Sequence, residues 1–424
     1  MPDDVEIPDD VDSVALKFLD INGKPREIRI PPETFDVVKE EGMSFDSSNL
    51  GFSDVSKSDM IAVPDPSTMR VLDHGAEKVA VFLCEMRWPD GTPFEGDPRY
   101  LLRKTMGELS EEGIEIHVKP EYEFHILDRD NFEPIDSGQY IEGRTDQNRM
   151  VGEMSKAMKD YDFKVEKIHH EVAPAQYEIE PLPYDDPLQA ADEFVFIREI
   201  IKEKAAENGV FATFMPKPLA EEAGNGFHVH LALYEDGEYM FSPDKLNGKA
   251  SSFLGGLLNH AKALSAVVSP TINSYKRLVP GYEAPVYISW GGENRSVLVR
   301  IPAYGTEEQK KGRIEYRAGD ASGNIYFMLN SLIRAGMDGM EKSADPGEEV
   351  TDDLFTIEDD KIKEMGIDFL PSSLSEALNE LEKDEVVKDS LGESYEHYLR
   401  MKREEVGEFN LEVTNWELRN YLDY

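Results

Sequence analysis

Sulfur, positive charge and uninterrupted apolar runs are all scarce in this chain. Its 424 residues include one cysteine, Cys84. A single thiol excludes an intrachain disulfide and a thiolate metal cluster, and it fits a cytosolic home. Lysine and arginine number 45 against 86 aspartates and glutamates, a formal net charge of −41. A field of that sign repels nucleic acids and anionic membranes, so neither is expected as a partner. Disorder is not implied, because 40% of the residues are hydrophobic, enough for a full core. Acid spread over a folded surface suits a salt-rich cytoplasm, where counterions screen the repulsion. The most apolar long stretch, 253-FLGGLLNHAKALSAVV-268, is interrupted by Asn259, His260 and Lys262. It is too short for a bilayer and reads as a buried helix. The opening MPDDVEIPDDVD carries no apolar signal core and is expected as a frayed acidic arm.

Along the chain, 14-VALKFLDINGKPREIRI-30 places Asn22-Gly23 between two alternating runs, a hairpin signal. The Ser/Asp-rich 43–60 reads as a loop, and Val79–Glu85 as a strand. The turn-rich 88-WPDGTPFEGDPRY-100 marks a boundary. We expect an arm over 1–12, a small β-rich domain over 13–97 and a large catalytic domain over 98–424. In the latter, 192–209 reads as a helix with Phe196, Ile200 and Ile201 inward. A capping box, Ser373 to Glu376, opens another helix.

Four segments share one pattern. In 119-KPEYEFHILD-128, strand alternation puts Tyr122, Phe124 and Ile126 on one face and Glu121, Glu123 and His125 on the other. In 169-HHEVAPAQYEIE-180, Glu171 precedes a Pro-bearing bend, and Glu178 and Glu180 then alternate with Ile179. In 227-FHVHLAL-233, His228 and His230 oppose Phe227, Val229 and Leu231. In 313-RIEYR-317, Arg313, Glu315 and Arg317 oppose Ile314 and Tyr316. Each alone reads as an ordinary half-exposed strand; together they suggest one shared polar cavity. Converging glutamates cannot all ionise unless cations offset them. Imidazole with many carboxylate oxygens suits Mg²⁺ or Mn²⁺, and two such ions can clamp an in-line phosphoryl transfer. The residues alone thus point to a metal-dependent phosphoryl-transfer or hydrolytic enzyme.

These motifs, in this order, resemble the glutamine synthetase family, type I, over nearly the whole chain. The further segments 224-GNGFHVH-230, 275-YKRLVPGYEAP-285, 294-NRS-296 with Arg300, and 310-KKGRIEYR-317 carry the same likeness. The resemblance implies an α+β fold: a β-grasp-like N-terminal domain and a catalytic domain with a curved antiparallel sheet and flanking helices. It implies that glutamate attacks ATP to give γ-glutamyl phosphate, from which ammonia displaces phosphate. Carried over by position, Glu123, Glu171 and Glu178 would hold one metal, and Glu121, His228 and Glu315 the other. Gly224, His228, Arg277, Glu283 and Arg317 would meet glutamate. Glu166, His169, His230, Arg300, Lys310 and Arg313 would meet the nucleotide, and Arg295 the transferring phosphoryl group. Asp46 and Glu283 would accept protons from ammonium. Family members form double rings with sites between subunits, so a homododecamer of two hexameric rings is expected, with Asp46 serving its neighbour.

Some family positions are altered. Ala223 stands where the family has the asparagine that holds glutamate's α-amino group, with Asn225 a possible substitute. Ala232 lacks a hydroxyl on the adenine side, Ala175-Gln176 replaces Gly-Gln, and Asp46-Ser47-Ser48 and 323-GNI-325 also differ. The departures leave three readings: glutamine synthesis, ligation of glutamate to a larger mono- or polyamine, and a non-catalytic structural or regulatory relative.

Overall fold

In the computed structural model, residues 5–143, 148–242, 245–246, 248–302 and 313–424 are described. The first sheet contains β1 (Ser13–Leu19), β2 (Pro25–Ile30), β3 (Met43–Asp46), β4 (Asp59–Pro64), β5 (Arg70–Asp73) and β6 (Lys78–Arg87). Its order is β2-β1-β6-β4-β3, with β5 on β6. β1 and β6 run parallel, and a helix, α1 (Phe35–Glu41), stacks Phe35 on Phe82 at 4.4 Å. This is the β-grasp-like unit. The β1–β2 hairpin turns through Asn22-Gly23, with Asp20 Oδ1 accepting from the Asn22 and Lys24 amides. Gly23 has φ +77°, and a Cβ there would meet the backbone of Gly323 and Asn324. The hairpin tip is therefore pressed against the catalytic domain.

Two expectations for this unit change. The first residues are not frayed where described: Val11 is buried, and Val5 and Ile7 pack against the core. The segment 43–60 is not all loop, because β3 pairs with β4 from Met43 to Asp46. β3 is the last strand in the path, and its residues alternate between half-buried and exposed. Met43 and Phe45 do alternate with Ser44 and Asp46 and pack on the core, but four residues are too few for that alternation to stand out from the Ser/Asp-rich segment around them.

After α2 (Pro98–Glu111), capped by Asp97, comes β7 (Ile114–Asp128), the longest strand. Then follow α3 (Asn148–Asp160), β8 (Val165–His170), β9 (Gln176–Pro181), α4 (Pro187–Glu207), β10 (Val210–Thr213) and β11 (Phe227–Glu235). The second sheet runs Trp290–Gly292, Val299–Ile301, Ile314–Tyr316, β11, β7, β9, β8. It is antiparallel except between Trp290–Gly292 and Val299–Ile301. Tyr122 stacks on Phe227 at 5.7 Å and meets Phe194 of α4 at 5.0 Å. The apolar face of the sheet is thus sealed by helices, and the other face is left for chemistry. α4 starts earlier than its apolar period suggests, because Asp186 caps it and Pro187 occupies its first turn.

The apolar run 253–268 is two helices, α5 (Gly248–Asn259) and α6 (Ala261–Val268), divided at His260. The His260 imidazole meets Asp384 at 2.6 Å and Asp338 at 3.0 Å. Ser373 caps the helix Leu374–Leu381, but Glu376 accepts from the Ser372 amide, so the reciprocal half of the box is shifted by one residue.

Candidate active site

Strand register assembles the site. β7 lies between β11 and β9, pairing Glu121 with His228 and Glu123 with Glu178. β8 sets His169 opposite Glu178. On the other side, His230 lies opposite Glu315, and Glu315 opposite Arg300. Paired residues share a face of the sheet, so one band of acids, imidazoles and guanidiniums crosses six strands. It lines a cavity of about 570 Å³.

At one end the protein supplies the countercharge. Glu315 is buried; its Oε2 accepts from Arg300 at 2.8 Å and its Oε1 from Arg317 at 2.5 Å. Burial opposes its charge, but Arg317 and the imidazoles of His230 and His228 outweigh burial and hold Glu315 at about 2. Glu121 is likewise held well below the usual carboxylate range, the two histidines outweighing burial. Its Oε1 lies 2.8 Å from His230 Nε2, and Arg313 donates to His230 Nδ1 at 2.8 Å.

At the other end the acids are less well matched. Burial, reinforced by Glu123, raises Glu171 to about 7. Burial also pushes Glu178 well above its ordinary value, with Glu123, Glu121 and Glu171 adding to it and His169, 3.1 Å away, only partly offsetting them. Glu123 directs Oε2 to the Gly226 amide at 2.7 Å and to Gln176 Nε2 at 2.8 Å. A Cβ on Gly226 would sit 2.8 Å from the Arg277 guanidinium and 3.0 Å from His228 Nε2. Glycine keeps this space open.

The donors suit a hard divalent cation. Glu121, His230 and Glu315, then Glu121, Glu178 and His228, then His169, Glu171 and Glu178 each bring ligand atoms within 4.8 Å of one another. His230 Nε2 is buried, and it faces Glu121 Oε1 at 2.8 Å. His230 and His169, expected at the nucleotide, therefore also stand among the carboxylates. The buried Nε atoms of Arg300 and Arg317 have no hydrogen-bond partner among the described residues, which leaves donors for an anion.

Glu166, Gly224, Arg277, Glu283 and Arg295 also line the cavity. Arg277 is buried and donates to the carbonyls of Ala318, Gly319 and Arg317. Glu283 is exposed, in a left-handed turn at φ +60°. Asp46 is not in this cavity: it is exposed at the end of β3, where the Ser48 hydroxyl and amide lower its pKa. Lys310 lies outside the described residues.

The substitute proposed for the lost asparagine is corrected by the structure. Asn225 is buried and bonds to His125 Nδ1 at 2.7 Å and to the Met215 carbonyl, away from the cavity. His125 is buried too and does not line the cavity; burial lowers it to about 4. Sequence reasoning placed Glu180 on the cavity face without a specific role and assigned none to Lys119, Gln176, Tyr140 or Tyr282; all five line the cavity. Period two from Glu121 and Glu178 reaches Lys119, Gln176 and Glu180; the two tyrosines carry no such signal.

Two family descriptions match the chain: the glutamine synthetase β-grasp domain over residues 10–89 and the glutamine synthetase catalytic domain over residues 95–421. The chain belongs to the glutamine synthetase family. A glutamine synthetase of Pyrococcus abyssi is 40% identical, the alignment covering 96% of each chain. One from Halobacterium salinarum is 38% identical over 99% of this chain and 95% of its own. A solved structure described as a GmaS/ADP complex superposes with a TM-score of 0.88 at 29% identity, covering 98% of this chain and 97% of its own. Membership accounts for the shared cavity face; the family binds ATP and divalent metal at such a site.

Proposed function

We propose that this protein is a glutamate–ammonia ligase that uses ATP to activate glutamate as γ-glutamyl phosphate. The observation that carries the reading is the single band of ligands and arginines across adjoining strands of one sheet. Mg²⁺ or Mn²⁺, two or more per site, would be held by Glu123, Glu171 and Glu178 and by Glu121, His228 and Glu315, and would neutralise phosphate charge when bound. Arg277 steers glutamate's α-carboxylate. Arg317 and Arg295 bind the transferring phosphoryl group, with donors aimed where negative charge develops. Glu166, His169, His230, Arg300, Lys310 and Arg313 contact the nucleotide. Glu283, in its exposed turn, closes the site and takes a proton from the amine.

Asp46 fits the same reading if it reaches a neighbouring subunit's cavity, which favours a homododecamer of two hexameric rings. We place the domain division at 97/98. A cytoplasmic, salt-rich setting suits the −41 charge, and no described helix is long and apolar enough to cross a membrane. Full fold and activity in dilute buffer with loss in molar KCl would reject the saline setting.

A second reading, ligation of a larger amine, draws on Ala223 at the cavity wall and on Asn225 being committed to His125. The test is phosphate release from ATP and glutamate at high salt with ammonia, putrescine or ethanolamine in turn. Release with ammonia is expected. Release with a diamine alone supports the second reading, and no release with any of the amines, despite bound metal, would leave only a non-catalytic role.

A further inference from the structure

The acidic band continues past the expected metal residues. Glu180, on β9 two residues beyond Glu178, shares its face and is buried. Glu166, on β8, is half-exposed at the cavity wall. Between these two and Glu121 stands Lys119, two residues before Glu121 on β7 and only 5% exposed. Its Nζ lies 2.5 Å from Glu180 Oε2, 2.9 Å from Glu166 Oε2 and 3.7 Å from Glu121 Oε1. Lys167 takes the other Glu180 oxygen at 2.5 Å, but from a half-exposed side chain.

Lysine is almost never buried without partners. This one has three carboxylates, from three adjacent strands, around an ammonium with three N–H groups. Three carboxylates thus face one buried positive charge, and the group is continuous with the expected metal cage through Glu121. An ammonium differs from an ion in one respect: it is tethered, so it cannot leave with product.

We propose that Lys119 is a resident cation. Its ammonium fills the position between Glu121, Glu166 and Glu180 that a further divalent ion would otherwise take. It thereby limits the cage to two exchangeable ions and acts as a positioning residue for Glu121. This rests on the metal-dependent ligase reading above.

The test counts Mn²⁺ bound per chain, by equilibrium dialysis with metal analysis and by the paramagnetic signal of bound Mn²⁺, without nucleotide. The wild-type chain should bind two. Lys119→Met should bind three, and Lys119→Arg two. Lys119→Met/Glu180→Gln, which removes both the cation and its closest acid, should return to two. Two ions in a folded Lys119→Met, or three in the double variant, overturns the proposal, as does any wild-type number from one upward other than two. If Lys119→Met does not fold, the double variant should fold and bind two, because the uncompensated acid is gone; failure of the double variant as well overturns it. A wild-type chain that binds no Mn²⁺ rejects the metal cage itself, and with it the ligase reading.

Discussion

The two ends of the cavity face the same problem, buried carboxylates at close quarters, and meet it differently. Around Glu315 and Glu121, arginines and histidines of the chain provide the positive charge, and both acids are held in their ionised form. Around Glu171 and Glu178 too little is provided, and both acids are pushed toward holding protons. At one end the chain's own cations already counter the acids, whereas the other is short of positive charge until cations arrive from solution. Both ends supply proposed metal ligands, but only at the first do arginines also hold a ligand carboxylate in place. The difference gives the site a direction, with fixed charge where anionic groups bind and exchangeable charge beside it.

The widest separation should appear in the metal-free protein. Glu315→Gln leaves the buried Arg317 and the half-buried Arg300 opposite a neutral side chain, and breaking such a buried pair costs about 3–5 kcal/mol. Glu178→Gln removes an acid that burial disfavours, so urea unfolding in EDTA should show stability unchanged or raised. Equal losses in the two variants would break the comparison. Acid response comes next. With Glu171 near 7, its protonated form contributes stability that is full below the ordinary carboxylate value and lost as pH rises through 7. Glu315, near 2, contributes stability that is full above the ordinary value and lost as pH falls through 2. Thermal stability in EDTA should therefore fall as pH rises from 5 to 7, and Glu171→Gln should flatten the trend. Mn²⁺ affinity should rise over the same interval by up to about tenfold per pH unit for each proton released.

Gly226→Ala crowds Arg277 and His228 and should weaken Mn²⁺ and glutamate binding by about 1–3 kcal/mol, the usual penalty of overpacking, as read by calorimetry. The smallest effect belongs to Lys167→Met: its half-exposed ammonium should contribute about 0–1 kcal/mol to stability, with no change in ions bound.

Much of the site was legible because strand alternation is a strict period. Glu121 and Glu123, His228 and His230, and Glu315 and Arg317 could each be assigned a face before any partner strand was known. The family likeness then ordered them. Alternation also misled: His125 continues the face of Glu123 on paper, but β10 pairs beside it and Asn225 covers it. Lys119 attracted no notice because a lone lysine near strand residues is ordinarily a solvated one; only the fold reveals three acids around it. Asp136 was invisible for a different reason. It belongs to a loop without periodicity, but its carboxylate takes the amides of Gly138 and Ala175, His170 Nε2 and the Tyr177 hydroxyl. It thereby braces the bend that presents Glu171. Within the N-terminal unit the longer strands were readable and the four-residue edge strand was not.

The pairing of Glu121 with His228 and of Glu123 with Glu178 has a bearing on how this chain can change by descent. Losing one residue within β7 ahead of Glu121 would turn its upstream half over and expose Val118 and Ile116, or else rotate the acids into the helix layer. Loops can lengthen or shrink by any number, but the strands bearing the site can change length only in steps of two.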